Sequence, residues 1–208
     1  MVEMEAGVRQ HLPVKRRVRK RLDHAPYLTQ ADLATVLRVC DLRLRALVLV
    51  LYTYALRVSE PGTLARTDWR AARRELYVRR CKGSISATHA VPDAVHEALV
   101  AWDATRPSSP WLFPGRAGTS RGISASMVRH LWRQAVATAG LSPRVAYPHV
   151  LKHSRCVHLR DAGARPEAIQ QVAGHEQLTS TLRYFHVTEE DRAVIRTATD
   201  GALAALVR

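Results

Sequence analysis

The stretch "YPHVLKHSRCVHLR", Tyr147 to Arg160, sets His149 three residues before Lys152 and places His153 straight after it. From Pro148 onward the apolar spacing predicts four helices, over roughly 149–161, 166–173, 179–184 and from 189 on. His149 and His153 stand four apart, a helical spacing that can chelate zinc, but the glutamate of an HExxH pattern is missing. Further along, "GHEQLTSTLRYFH" (174–186) carries His175 after a glycine and then Tyr184. These residues are either ordinary surface polar groups on separate helices or parts of one site.

The composition narrows the choice. The chain has 208 residues and is 47% hydrophobic, enough for one domain with a core or one domain plus an arm. Its 32 Lys+Arg against 18 Asp+Glu give a formal net charge of +14, which suits a polyanionic partner, with nucleic acid ahead of a membrane surface. No apolar run reaches the ~18–20 residues of a spanning helix, and the N-terminus lacks the apolar centre of a signal peptide, so a cytoplasmic location is expected. Cys40, Cys81 and Cys156 are too far apart for a CxxC metal pattern and odd in number, and read as small buried residues or reduced thiols.

Upstream, residues 1–25 differ from the rest. "KRRVRKR" (Lys15 to Arg21) puts six cations in seven positions, a density that resists packing and marks a flexible basic arm. Lys15, Arg16 and Arg17 there form either a solubilising tail or a sequence-independent phosphate clamp. Residues 26–208 make the globular domain. Thr29 is set to cap a helix through "QADLATVLRV", and "LRLRALVLVLYTYAL" (42–56), apolar nearly all round, reads as a central core helix. "ELYVRRCKGSISATHAVP" (75–92) has β-formers on both sides of Lys82-Gly83-Ser84 and predicts strand, tight turn, strand. A short helix follows Pro92, then a Pro/Gly/Ser-rich loop. In "SASMVRHLWRQAVATAG", Met127, Val128, Leu131, Trp132, Ala135 and Val136 share one helical face, opposite Arg129, His130 and Arg133. The expected class is mainly α with one small antiparallel β-sheet, that is, α+β.

The chain holds no Gly-rich phosphate loop and no GxSxG elbow. Its scattered cations, histidines and one tyrosine suit metal-free attack on a DNA phosphodiester. That reaction needs fixed cations on the phosphate oxygens, a side-chain nucleophile that conserves the bond energy, and a proton donor for the departing 5′-oxygen.

At these residues the chain resembles the catalytic domain of the tyrosine recombinase (phage integrase) family. "YALRVSEPGTLARTDW" is similar to the family's "TGLRxSEL…L…W…D" segment and gives Arg57, with Glu60 at the acidic position. "RRCKGSISATHAVP" resembles the hairpin that carries the family's lysine, giving Lys82, although Arg79 and Arg80 lie close enough to compete. "PHVLKHS" resembles "PHxLRHT/S", giving His149 and, at the second-arginine position, Lys152. "VAGH" gives His175, and "LRYFH" gives Tyr184 as nucleophile. Order and spacing hold across residues 27–187.

The resemblance implies the breaking-rejoining fold of these recombinases and a division of labour. Tyr184 would form a 3′-phosphotyrosine, and Arg57, His149, Lys152 and His175 would hold non-bridging oxygens or assist proton transfer. Lys82 would protonate the leaving oxygen, while Glu60 and His153 would support their neighbours. Arg129 and Arg133 would lie along the DNA. No metal, nucleotide or other cofactor is implied; the implied partner is double-stranded DNA, bound by a homo-tetramer, with no membrane. Three features depart from the pattern. Lysine at 152 offers a point charge where arginine offers a planar fork. Only about 25 residues precede the catalytic part, as in the short Fim-type recombinases that lack a core-binding domain, and Pro61-Gly62 after Glu60 is unusual. The rival readings are a type IB topoisomerase-like enzyme, acting as a monomer with little site preference, and a catalytically silent DNA-binding protein.

Overall fold

The structure, a computed structural model, describes residues 26–81, 83–116, 120–185, 193–194 and 196–199. The first helix, α1 (Gln30–Val39), begins where Thr29 and Asp32 form a reciprocal capping box, each side chain accepting the other's backbone N–H. Asp41 caps α2 (Leu42–Thr53) by accepting from the Leu44 N–H at 2.7 Å. Ala46, Leu47, Val48, Val50 and Leu51 of α2 are all buried, because α3 (Asp93–Asp103) packs on one side of it and α5 (His149–Asp161) on another. The all-round apolar pattern at 42–56 therefore belongs to the central helix, as expected.

The sheet is antiparallel in the order β1 (Trp69–Arg70), β2 (Glu75–Val78), β3 (Ala87–Ala90), with Trp69 opposite Leu76 and Val78 opposite Ala87. The hairpin of β2 and β3 lies where the sequence placed it, but the connection spans residues 79–86 where a tight turn at 82–84 was expected; β1, only two residues long, was not expected. Leu76 and Val78 are buried in the core, and Tyr77 between them is less buried on the other face. α4 (Ala125–Thr138) starts at the Ser124 cap and buries Val128, Trp132, Ala135 and Val136. Met127 is a correction to the expected apolar face. It is 39% exposed, since the buried stripe is one residue narrower than the pattern suggested. α6 (Pro166–Ala173) and the single turn α7 (Thr179–Leu182) follow α5 in series, each packed on its predecessor.

Most of the core is one cluster that includes Leu47, Leu51, Leu56, Leu76, Leu99, Phe113, Trp132 and Leu151. Each such side chain contributes roughly 1.5–3 kcal/mol by leaving water. A second, smaller cluster joins Ala55, Cys156, Val157, Ile169, Ala173 and Tyr184. The Pro61-Gly62 departure has a steric reason. A Cβ on Gly62 would lie 2.3 Å from the Ile123 carbonyl oxygen, and one on Gly122 would lie 2.2 Å from the Gly62 oxygen, so two backbones cross in contact there. Pro61 sits in the first turn of the 3₁₀ helix Glu60–Thr63, where its missing N–H is no loss. Among the described residues no helix is long and apolar enough to cross a membrane.

Candidate active site

The site is assembled where three chain segments end beside one another: the C-terminus of α2, the tip of the β2–β3 hairpin and the C-terminus of α6. After α2, Ala55 takes a left-handed backbone conformation, φ 47°. A residue with a Cβ adopts this at a cost of about 1–2 kcal/mol. The turn leaves the Tyr54 and Ala55 carbonyls facing inward and sends Arg57 out of the helix. Arg57 is then held by Glu60, whose carboxylate accepts from the Arg57 N–H at 2.7 Å and from its guanidinium at 3.4 Å. The Arg57 guanidinium also donates to the Ser84 hydroxyl at the hairpin tip. Roughly a third of the Arg57 side chain remains open to solvent, so its outer face is available to an anion.

α5 carries His149, Lys152 and His153 in its first two turns. His149 reaches solvent. Protein packed round its ring, and then the nearby cations Lys152, His153, Arg57 and Arg183, lower its pKa below that of an ordinary histidine. Lys152 is 3% exposed, and its Nζ donates to the Ala55 oxygen at 2.7 Å and the Ala173 oxygen at 2.6 Å. It thereby caps the carbonyl ends of α2 and α6 together, where helix dipoles favour a cation. Burial, with Arg80 next in weight, still brings the Lys152 pKa down from 10.5 to about 8. His153 packs its ring against Tyr184, centroids 5.4 Å apart.

His175 follows Gly174, the left-handed residue that ends α6. Its Nδ1 lies 2.9 Å from the Thr181 hydroxyl of α7, which fixes the ring. Burial, then Lys152 and the surrounding arginines, lower its pKa from 6.5 to about 4, so the imidazole is neutral at pH 7. The hairpin tip touches the same loop, since the Ile85 N–H donates to the Gly174 oxygen at 3.3 Å and Ser84 bridges to His175. Tyr184 lies just past the end of α7, 6% exposed in the smaller cluster. Burial, and after it the Cys156 thiol, raise its pKa well above the usual phenol value.

One residue of the site was not singled out by its own role. Arg80, with a side chain 0% exposed, enters from the end of β2 and pairs with Glu60 at 3.0 Å. It also donates to the Tyr54 oxygen at 2.7 Å and the Val172 oxygen at 2.6 Å. Glu60 accordingly accepts from Arg57, Arg80 and the Cys81 N–H, and is itself fully buried. Arg79, its neighbour, turns outward to the Asp68 carboxylate. Expected Lys82 lies outside the described residues, between Cys81 and Gly83, and so do Lys15, Arg16 and Arg17.

Arg129, His130 and Arg133 are exposed along α4, away from its buried stripe. Among the described residues, no group of three or more His, Cys, Asp or Glu is placed to hold a metal ion. The arrangement offers a cation-rich cluster with one neutral, fixed imidazole, one exposed histidine and a buried tyrosine. Such a cluster can hold a phosphodiester by its oxygens.

The fold is that of the tyrosine recombinase catalytic domains. The sequence pattern of the Phage integrase family matches residues 26–191, and the chain belongs to that family. A tyrosine recombinase XerD of Brucella abortus is 37% identical over 163 residues, covering 74% of this chain and 51% of its own. A XerC of Rhodospirillum centenum is 38% identical over 156 residues, 72% of this chain and 44% of its own. The chain spans about half the length of the curated relatives it matches. Among solved structures, the XerA recombinase superposes with a TM-score of 0.67 at 23% identity, over 83% of this chain and 65% of that one. The Tn1549 transposon integrase, in complex with circular intermediate DNA, gives 0.71 at 21% identity, over 84% of this chain and 67% of that one.

Proposed function

We propose that the chain is the strand-transfer domain of a site-specific DNA recombinase, working in the cytoplasm on duplex DNA as a tetramer. The observation that carries this reading is the convergence of Arg57, of His149 and Lys152 on α5, and of His175 from three segments into one cluster, with Tyr184 packed against His153 beside it. Arg57 holds non-bridging oxygens of the scissile phosphate with its open face. The third N–H of Lys152, not used on the two carbonyls, adds positive charge from below. His175 is held neutral, and with the Thr181 hydroxyl donating to Nδ1 its Nε2–H is left to donate to the phosphate. The Tyr184 hydroxyl leaves the Cys156 thiol, attacks phosphorus and joins the 3′-phosphate. Its proton passes to the uncharged His149 imidazole. The P–O5′ bond breaks, and the 5′-oxygen leaves as a hydroxyl with a proton from Lys82. The reverse attack of a 5′-hydroxyl on the phosphotyrosine reseals the strand. Arg129 and Arg133 contact the DNA backbone beside the cut, and the basic residues Lys15, Arg16 and Arg17 of the 1–25 arm add phosphate contacts.

The test is covalent trapping. Nicked duplexes tiled across the DNA flanking the gene are mixed with the protein, and a denaturant-resistant adduct is sought. The expected result is an adduct that disappears in Tyr184→Phe while DNA affinity stays within about threefold. Tight DNA binding with no adduct at any tile would overturn the catalytic reading in favour of a silent binding protein. Relaxation of arbitrary supercoiled plasmid by a monomer would instead indicate a topoisomerase.

A further inference from the structure

Two buried cations grip the same two helix ends. Lys152 links Ala55 to Ala173 through their carbonyl oxygens. Arg80 links Tyr54 to Val172, one residue earlier in each segment, and its Nη1 also approaches the Ala55 oxygen at 3.4 Å. Glu60 pairs with Arg80 at 3.0 Å. The Arg80 backbone N–H is tied across the hairpin to the Ser86 hydroxyl at 3.0 Å. The contact extends to the His175 loop, since a Cβ on Gly174 would lie 2.7 Å from the Arg80 Nε. Gly174 therefore meets two demands, a left-handed conformation and room for a guanidinium. One side chain thus joins the segment before Arg57, the carboxylate that holds Arg57, the hairpin that carries Lys82 and the loop that carries His175.

We propose that Arg80 is a positioning residue that supplies the guanidinium fork missing at position 152, so that the site tolerates lysine there. A lysine ammonium has three N–H groups on one atom and cannot span both carbonyl pairs and Glu60; a planar fork divides that work with it. Burial is the main influence on both cations and lowers both pKa values, so neither is there for ease of burial. The Arg80 side chain meets no solvent. Its contribution reaches the phosphate through the placement of Arg57 and His175. The assignment rests on the recombinase reading only for its activity readout.

The experiment compares the native chain with Arg80→Met, Arg80→Lys, Lys152→Arg and the double variant Arg80→Met/Lys152→Arg. Adduct formation on a nicked duplex that the native chain cleaves is measured beside DNA affinity, melting temperature and amide exchange of Ile85, whose N–H binds the Gly174 oxygen. Misplacing the groups that hold the phosphate by about 1 Å costs roughly 100-fold in rate, so Arg80→Met is expected to cleave roughly 100-fold more slowly, with affinity within about threefold. Arg80→Lys, which keeps the charge beside Glu60 and is the variant to rely on if methionine does not fold, is expected to fall between. Lys152→Arg alone crowds two guanidinium groups onto one set of carbonyls and slows cleavage. In the double variant the fork returns from the helix side, and both cleavage and Ile85 protection recover. A double variant slower than either single one, or Ile85 protection unchanged in both Arg80 variants, overturns the proposal. The exchange measurement decides it even if no substrate is cleaved, and an absent native adduct then counts against the recombinase reading alone.

Discussion

Replacing Lys152 with methionine offers a test of whether that lysine is held against the fold's own stability. Its ammonium titrates at about 8 in the folded chain and at 10.5 in a solvated one. At about 1.4 kcal/mol per pH unit, the protonated lysine costs folding about 3 kcal/mol at pH 7. The sign follows from proton binding. Between about 8 and 10.5 the unfolded chain holds the proton that the folded chain releases, so native stability rises with pH across that window. Methionine is of similar length, removes the charge and leaves the Ala55 and Ala173 carbonyls without their donor, at about 1 kcal/mol each. At pH 7 the variant is expected to be more stable by about 1 kcal/mol, and its melting temperature higher by roughly 2–4 °C. At pH 10.5 and above, where the native lysine is neutral, that advantage reverses to a deficit of roughly 2 kcal/mol. Urea unfolding of both proteins at several pH values measures the difference, and the tyrosine and arginine titrations common to both cancel. A difference that does not vary with pH would falsify the reasoning, since the lysine would then titrate in the fold as it does in water.

Four further expectations follow from neighbouring residues. Glu60→Gln leaves the buried Arg80 and the partly open Arg57 without their carboxylate, and should cost about 3–5 kcal/mol, read as a fall of roughly 10 °C in melting temperature. His175, with a pKa of about 4 in the fold against 6.5 outside it, contributes stability present above 6.5 and lost as pH falls toward 4; His175→Gln should flatten the stability curve over that interval. Ala55→Gly relieves the left-handed backbone and should stabilise the chain by about 1 kcal/mol, measured by the shift in urea midpoint. Replacing Arg129 and Arg133 with alanine should reduce the slope of log DNA affinity against log salt by about 0.9 for each phosphate that is no longer neutralised, with Tyr184-dependent cleavage kept at low salt.

Much of this arrangement was legible because it depends on spacing. The interval of nine residues from His175 to Tyr184, and of three from His149 to Lys152, survives any detail of packing. Two helix starts were legible for the same reason, with Thr29 and Ser124 each capping the helix that follows it, whereas the Asp41 cap of α2 was not singled out. The burial of Lys152 was not, since nothing local says that a lysine between two histidines will meet the carbonyl ends of two distant helices. Arg80 did have a signal. Leu76 and Val78 face the core, and an alternation of two carries the inward side on to residue 80, while Arg79 faces out to Asp68. Charge obscured it, because an arginine two residues from a turn reads as solvated. Ala55 was not singled out, although it stands where the quoted family segment has glycine; its left-handed backbone is a conformation that favours glycine.

The membership of Tyr184 in a hydrophobic cluster has a consequence for how this protein responds to selection. Ala55, Cys156, Val157, Ile169 and Ala173 hold the ring of the proposed nucleophile as they would hold any core aromatic. Resting stability and readiness to react therefore draw on one side chain in opposite directions. Screening for heat resistance alone would favour substitutions that fasten this cluster, and the survivors would cleave more slowly because the ring is harder to release. Screening for speed would loosen the same packing and return chains that melt earlier. Variants improved in both respects are to be sought in the larger cluster around Trp132 and Leu47, which holds the scaffold without holding the reacting group.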